Sequence, residues 1–412
     1  MKKVYIHDTG CCSLRRLDSN KIQRYFKKNK YTIVKKPSKA DIIICTTCAF
    51  DNQEEDLALS KVKELGKYKA ELIVAGCLPS IAKERLDKIF SGRFVETKQI
   101  EKIDDLFKEN QYKFNKLADS NLVWVNQEEK GLKRWNRRFR ILYKIINSRM
   151  SFRETYLFIS KYGRPNVGSV CYLRNSRGCT GNCSYCATKN AVGNLKSKPL
   201  DICLSEFEQG IKNGMENFII IADDVGAYGI DIGITFPDLI NEILKIKGNY
   251  RINIEGINPR WLIKYISDFQ KIFKDGRIKG ISVPIQSANN RVLKIMNRPY
   301  EKEKMLDAFL KIKDTNHNLE VGTDIIVGFP TETEEEFIES IDFIKDAKLD
   351  IGNIFIYSCK TKTKAESIEP KVPKKEMIRR LGCARDMLRK SNYFVLDQMP
   401  YTNRLLFKKN TN

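Results

Sequence analysis

The run Arg177-Gly178-Cys179-Thr180-Gly181-Asn182-Cys183-Ser184-Tyr185-Cys186-Ala187 places three cysteines at the spacing Cys-x3-Cys-x2-Cys. Thiolate sulfur is a soft ligand suited to iron–sulfur clusters, which usually take four cysteines. Here a compact loop offers three, and no histidine stands in it to complete a zinc tetrahedron. A cubane held by three thiolates keeps one iron open to a small ligand. The other reading is a structural zinc knuckle whose fourth ligand lies elsewhere in the chain.

The pattern around this run is a strand–helix alternation, repeated six times between residues 168 and 358. Strands are expected near Val170–Arg174, Phe218–Ala222, Tyr250–Glu255, Gly280–Pro284, Val321–Val327 and Asn353–Tyr357. Amphipathic helices are expected between them, among them Leu204–Gly214, Pro237–Ile246, Glu303–Ile312 and Glu334–Lys345. Such alternation implies a parallel sheet with helices outside it. Barrel sites gather at the carboxyl ends of strands, and the cysteine run follows the first strand.

The first 115 residues read as a smaller α/β domain. Val4–His7, Ala40–Cys45 and Glu71–Ala75 are expected as strands, with helices over Asp18–Asn29 and Glu54–Leu65. Each strand runs on within a few residues into cysteine: Cys11 and Cys12, then Cys48, then Cys77. In an open parallel sheet, ligands bind beyond the carboxyl ends of the strands. Three distant cysteines would meet there and offer a second three-thiolate site. Small core residues are the competing use of cysteine at such positions.

The chain of 412 residues has room for two or three domains with sizeable cores. We expect an α/β domain over 1–115, a basic connector over 116–167, a partial barrel over 168–358, and a C-terminal helix and tail over 359–412. Twelve cysteines, three of them in one short run, read as reduced ligands rather than a disulfide framework. No run of about 18 apolar residues occurs, so no membrane span is expected. The start, Met-Lys-Lys-Val-Tyr-Ile-His-Asp, is too short and polar for a secretory signal, and a cytoplasmic location follows. A net charge of +23 points to a polyanionic partner such as RNA, or to a merely solvated basic surface. Within the connector, Lys133-Arg134-Trp135-Asn136-Arg137-Arg138-Phe139-Arg140 interleaves cations with aromatics, as nucleic-acid surfaces do. Ile141–Phe158 after it has helical periodicity. Arg134, Arg137, Arg138 and Arg140 are therefore candidate substrate contacts, and a solvated face of an interdomain helix is the alternative.

With Tyr185 before its last cysteine, the central run resembles the signature of radical S-adenosylmethionine (SAM) enzymes, whose open iron takes the amino and carboxylate groups of SAM. Asp8-Thr9-Gly10-Cys11-Cys12-Ser13-Leu14-Arg15-Arg16-Leu17-Asp18-Ser19, Thr46-Thr47-Cys48-Ala49-Phe50 and Ala75-Gly76-Cys77-Leu78-Pro79 resemble the three cysteine motifs of the methylthiotransferase family. The likeness implies two [4Fe–4S] clusters, one on Cys179, Cys183 and Cys186 and an auxiliary one on Cys12, Cys48 and Cys77. Gly10 favours Cys11 as the first auxiliary ligand, whereas the distance to Asp18-Ser19 favours Cys12, which we adopt.

Cys186-Ala-Thr-Lys-Asn-Ala-Val-Gly-Asn-Leu195, Asp223-Asp-Val-Gly-Ala-Tyr-Gly229, Ile257-Asn-Pro259, Val283-Pro-Ile-Gln-Ser-Ala288 and Thr323-Asp-Ile-Ile-Val-Gly-Phe-Pro330 are similar to the archaeal and eukaryotic branch, which acts on threonylcarbamoyladenosine in tRNA. By that likeness Asp223 and Asp224 grip the SAM amino group, as carboxylates suit an ammonium. A helix N-cap is the other use of such a pair. Gln286, Gly328 and Pro330 are placed near the substrate and the SAM adenosine, although a structural hydrogen bond serves equally for Gln286. The family chemistry is cleavage of SAM to a 5′-deoxyadenosyl radical, hydrogen abstraction from an unactivated carbon, and insertion of a methylthio group there. An electron donor such as flavodoxin or ferredoxin and a sulfur donor are implied as partners. His7 and His317 lie outside the motifs, and Cys45, Cys171, Cys203, Cys359 and Cys383 read as structural, with Cys45 a possible competitor of Cys48.

The C-terminal part departs from the family. Cys359-Lys-Thr-Lys-Thr-Lys-Ala365 stands where a Pro-Gly-Thr-Pro-Ala-like loop is usual. Lys374–Ser391 reads as one charged helix, and 392–412 as a tail too short for the small β-rich RNA-binding domain of about sixty residues expected there. Three functions stay open: methylthiolation of a tRNA adenosine, the same chemistry on a peptide or protein side chain such as a ribosomally made peptide natural product, and a non-catalytic iron–sulfur protein.

Overall fold

The computed structural model describes residues 1–10, 12–121, 170–397 and 403–410. The chain divides into two compact units, Met1–Ala49 with Glu54–Tyr172, and Phe50–Gln53 with Leu173–Asn412.

In the first unit, strands β1 (Lys3–Asp8), β2 (Thr32–Ile33), β3 (Ile42–Thr47), β4 (Glu71–Gly76) and β5 (Phe94–Glu96) form a sheet in the order β2-β1-β3-β4-β5. All its pairings are parallel. Every residue of β3 is buried, as expected of a central strand covered on both faces. Helix Ser13–Lys28 lays Ile22, Tyr25 and Phe26 on this sheet, and Phe26 meets Phe107 edge-on at 5.0 Å. That helix starts five residues before the expected Asp18. Its first turns look polar in sequence, yet Arg15 and Asp18 are both buried and ion-paired at 3.3 Å. The unit also continues past residue 115, where Lys21 holds Asp119 at 3.0 Å.

The second unit carries an eight-stranded sheet in the order β14-β15-β13-β12-β11-β10-β9-β6. Its members are β6 (Val170–Arg174), β9 (Asn217–Ile221), β10 (Arg251–Glu255), β11 (Ile278–Ser282), β12 (Glu320–Val327), β13 (Ile351–Ile356), β14 (Tyr393–Asp397) and β15 (Arg404–Lys409). The pairings from β9 through β13 are parallel, in keeping with the expected partial barrel of six strand–helix units. Local chemistry starts the outer helices: Thr235 with Asp238, and Thr333 with Glu336, form capping boxes.

The expected C-terminal tail is corrected. β14 and β15 form an antiparallel hairpin on β13 and extend the sheet. In β14, Tyr393 and Val395 are buried while Phe394 and Leu396 are exposed. Inward and outward faces are both apolar there, so the alternation that marks a half-buried strand is invisible in hydropathy. A further small ladder, β7 (Ser176–Arg177) against β8 (Lys196–Ser197), closes the base of the cysteine run. Arg134, Arg137, Arg138, Arg140, the Ile141–Phe158 segment and Cys11 lie outside the described residues. No helix among the described residues is long and apolar enough to cross a membrane.

Candidate active site and cluster-binding loops

Cys179 follows β7 directly, and its N–H donates to Gly193 O at 3.2 Å. Gly178 makes the turn between them, with φ of +79° and a Cβ position that would lie 2.0 Å from Asn194 O. Only glycine fits this spot. Gly178→Ala should cost at least about 2 kcal/mol of stability, combining a left-handed backbone with an unrelievable clash. Gly233, with φ of +78° and no atom within 4 Å of its Cβ position, isolates the backbone component. We expect the thermal midpoint to fall further, and iron content to fall only, in Gly178→Ala when compared with Gly233→Ala.

Both carboxylates at the end of β9 reach this loop. Asp223 Oδ2 accepts from the Gly178 N–H at 3.1 Å. Asp224 Oδ2 accepts from the Thr180 hydroxyl at 2.8 Å and from Arg260 at 2.7 Å, and its Oδ1 accepts from the Trp261 indole at 2.9 Å. Asp224 is 3% exposed and makes no side-chain cap to the turn after it. These bonds hold the cysteine loop, through Thr180, to the end of β9 and to the helix that carries Arg260 and Trp261. Asp223 is half-buried.

Cys179, Cys183 and Cys186 are half-buried and outside any disulfide. Burial, then the nearby Asp224, pushes the Cys179 thiol up to about 12. Burial, then the Cys183 thiol, raises Cys186. Thiols raised in this way at Cys179 and Cys186 suit a metal that deprotonates its ligands outright. Lys189 Nζ braces the loop through the carbonyls of Cys179 and Gly193.

Tyr185 ties the loop to the rest of the sheet. Its ring meets Phe329 edge-on at 6.4 Å, and Phe329 meets Tyr357 at 5.5 Å. Gly328 and Pro330 are buried, and a Cβ on Gly328 would lie 2.4 Å from Met377 Cγ. The loop they flank packs Phe329 against Tyr185. Glu332 clamps that loop, accepting from the Gly328 N–H at 2.6 Å and from Arg380 at 3.0 Å. Gln286 has φ of +68°, a strained value for this residue type. Its backbone bridges Asp324 O and the Ile326 N–H at 2.9 Å each, and its side chain makes no hydrogen bond among the described residues. Gln286 thus serves the structure through its backbone. The signal for this residue was its motif, whereas Arg260, Trp261 and Arg298 were missed because nothing local marks them.

In the first unit the three strands that precede Cys12, Cys48 and Cys77 are neighbours, with Asp8 paired to Thr46 and Thr47 to Gly76. The Cys77 N–H donates to Thr47 O at 3.1 Å, setting residues 48 and 77 side by side. Cys48 and Cys77 are buried, and Cys12 is exposed at the start of helix Ser13–Lys28. The three cysteines thus follow the carboxyl ends of neighbouring strands. Cys45 is wholly buried inside β3, and burial pushes its thiol up to about 12, as for a core residue.

A half-open barrel with a three-cysteine loop at the carboxyl end of its first strand defines a radical SAM enzyme. The Radical SAM superfamily matches residues 175–344, and the Uncharacterized protein family UPF0004 matches residues 3–95. A probable threonylcarbamoyladenosine tRNA methylthiotransferase of Pyrococcus horikoshii is 30% identical, covering 87% of this chain and 77% of the relative. A tRNA-2-methylthio-N(6)-dimethylallyladenosine synthase of Thermotoga petrophila is 28% identical over 95% and 82%. A ribosomal protein uS12 methylthiotransferase RimO of Thermodesulfovibrio yellowstonii is 28% identical over 92% and 81%. Among solved structures, the radical SAM methyltransferase TsrM of Kitasatospora setae shares the fold, with a TM-score of 0.60 at 11% identity over 88% of this chain and 74% of that one. This chain belongs to the radical SAM methylthiotransferase family. It is an enzyme of that type, with SAM and two [4Fe–4S] clusters as its cofactors.

Proposed function

We propose that this enzyme inserts a methylthio group into a tRNA adenosine of the threonylcarbamoyl type. The observation that carries the reading is the pair of three-cysteine sites, one per unit, on a chain whose relatives bear tRNA methylthiotransferase names. In the proposed assignment Cys179, Cys183 and Cys186 hold the barrel cluster, and Cys12, Cys48 and Cys77 the auxiliary one. When reduced, the barrel cluster supplies the electron that cleaves SAM to the hydrogen-abstracting radical. Asp223 receives the SAM ammonium, Asp224 and Lys189 keep the cysteine loop in place, and Gln286 offers its amide to the bound ligands. A low-potential electron donor of the flavodoxin or ferredoxin kind and a sulfur donor complete the cycle in the cytoplasm.

The charge of +23 supports a polyanionic substrate. Phosphate contacts make affinity fall by about one power of salt concentration per contact. Replacing Arg134, Arg137, Arg138 and Arg140 together by Gln should flatten that slope by several units while SAM cleavage without substrate stays unchanged. Nucleoside mass spectrometry decides the substrate: a strain lacking the gene should lose its methylthio-threonylcarbamoyladenosine. Unchanged nucleosides would move the assignment to a protein or peptide side chain, the reading favoured by the ribosomal-protein relative.

A further inference from the structure

Arg298 is 9% exposed, deep enough that its charge needs a partner. Its Nε and one terminal nitrogen donate to the Tyr185 hydroxyl, at 3.2 and 2.6 Å. The other terminal nitrogen donates to the Tyr300 hydroxyl at 3.0 Å and Pro284 O at 3.4 Å. All of these acceptors are neutral, and among the described residues no carboxylate pairs with Arg298. Buried Arg15 and Arg380, by contrast, face Asp18 at 3.3 Å and Glu332 at 3.0 Å.

What lies beside Arg298 is the cysteine loop. The Ser184 N–H donates to Met296 O at 2.9 Å, and the Asn297 side chain donates to Asn182 O at 2.6 Å. These two bonds flank Cys183 and fix it against the turn that carries Arg298. Asn297 makes that turn with φ of +56°, a conformation asparagine tolerates. The carboxylates that reach the loop from the end of β9 have partners of their own. Asp224 is matched by Arg260 at 2.7 Å. Asp223, on the Gly178 N–H, stands on the same side as Lys189, on the Cys179 carbonyl. On the Cys183 side, Arg298 has only neutral partners among the described residues.

We propose that Arg298 is the built-in counter-charge of the barrel cluster and raises its reduction potential, a role that rests on Cys179, Cys183 and Cys186 holding that cluster. A [4Fe–4S]2+ core with three thiolates carries one net negative charge, and one electron from a low-potential donor makes it two. A buried cation beside the thiolates favours the more negative state, and net charge and burial are what set such potentials. Tyr185 and Tyr300 hold the guanidinium in place without neutralising it.

The test is a redox titration of the reconstituted full-length enzyme, followed through the EPR signal of the reduced cluster that Cys179→Ala abolishes. In Arg298→Met the ratio of reduced to oxidised cluster at a fixed potential should fall at least about tenfold, a shift of about 59 mV for a one-electron couple. Arg298→Lys, which keeps the charge, should stay close to wild type. If Arg298→Met fails to retain iron, Arg298→Gln, which can still bond Tyr185, takes its place with the same two outcomes. A midpoint equal to wild type overturns the proposal. So does an equal fall in Arg298→Lys, since geometry and not charge would then be responsible. A signal and iron content untouched by Cys179→Ala would instead sink the cluster assignment beneath it.

Discussion

Replacing Cys179, Cys183 and Cys186 together by Ala should lower the iron content of anaerobically reconstituted protein from about eight to about four per chain and abolish SAM cleavage. Four irons remain because the second set of thiols lies in a separate unit with its own sheet and core. The loss of cleavage should be complete rather than partial, since the variant removes all three proposed ligands of the cluster that reduces SAM. The loop itself should survive. Its shape depends on Gly178, on the Asp224 bonds to Thr180 and Arg260, and on the Ser184 bond to Met296, none of which uses a thiol. Iron and sulfide analysis with assay of 5′-deoxyadenosine measures both effects. Retention of about eight irons would remove these cysteines from the cluster.

The complementary triple replacement, Cys12, Cys48 and Cys77 by Ala, should leave about four irons and normal SAM cleavage while methylthio product disappears. The three residues follow adjacent strands β1, β3 and β4, so their thiols can serve one group without help from elsewhere. Single variants settle the register. Cys12→Ala should reproduce the triple variant's loss of product, and Cys11→Ala should not. The opposite result would assign the first auxiliary ligand to Cys11. Product formed by the triple variant would contradict an auxiliary cluster altogether.

Cysteine spacing and strand–helix alternation were enough to mark the three-thiolate sites and the two-part α/β architecture, and the resemblance of the motifs to a known family implied the chemistry. The reason is that both are local: a loop of eight residues sets the first triad, and each other cysteine sits within a few residues of a strand whose apolar run is plain. Arg134, Arg137, Arg138 and Arg140 are equally plain as composition, and their place in the chain is all that the sequence conveys about them. What only the tertiary structure decided involves partners far apart along the chain. Asp224 finds Arg260 and Trp261, 36 and 37 residues away, as hydrogen-bond partners. Arg298 meets Tyr185 across 113 residues, and no periodicity marks such a pair. The β14–β15 hairpin escaped for a related reason: Phe394 and Leu396 are exposed apolar residues, so hydropathy cannot distinguish the face that packs from the face that does not. Local pattern reports which element a residue joins; which charges are left buried and unmatched depends on what packing brings beside them.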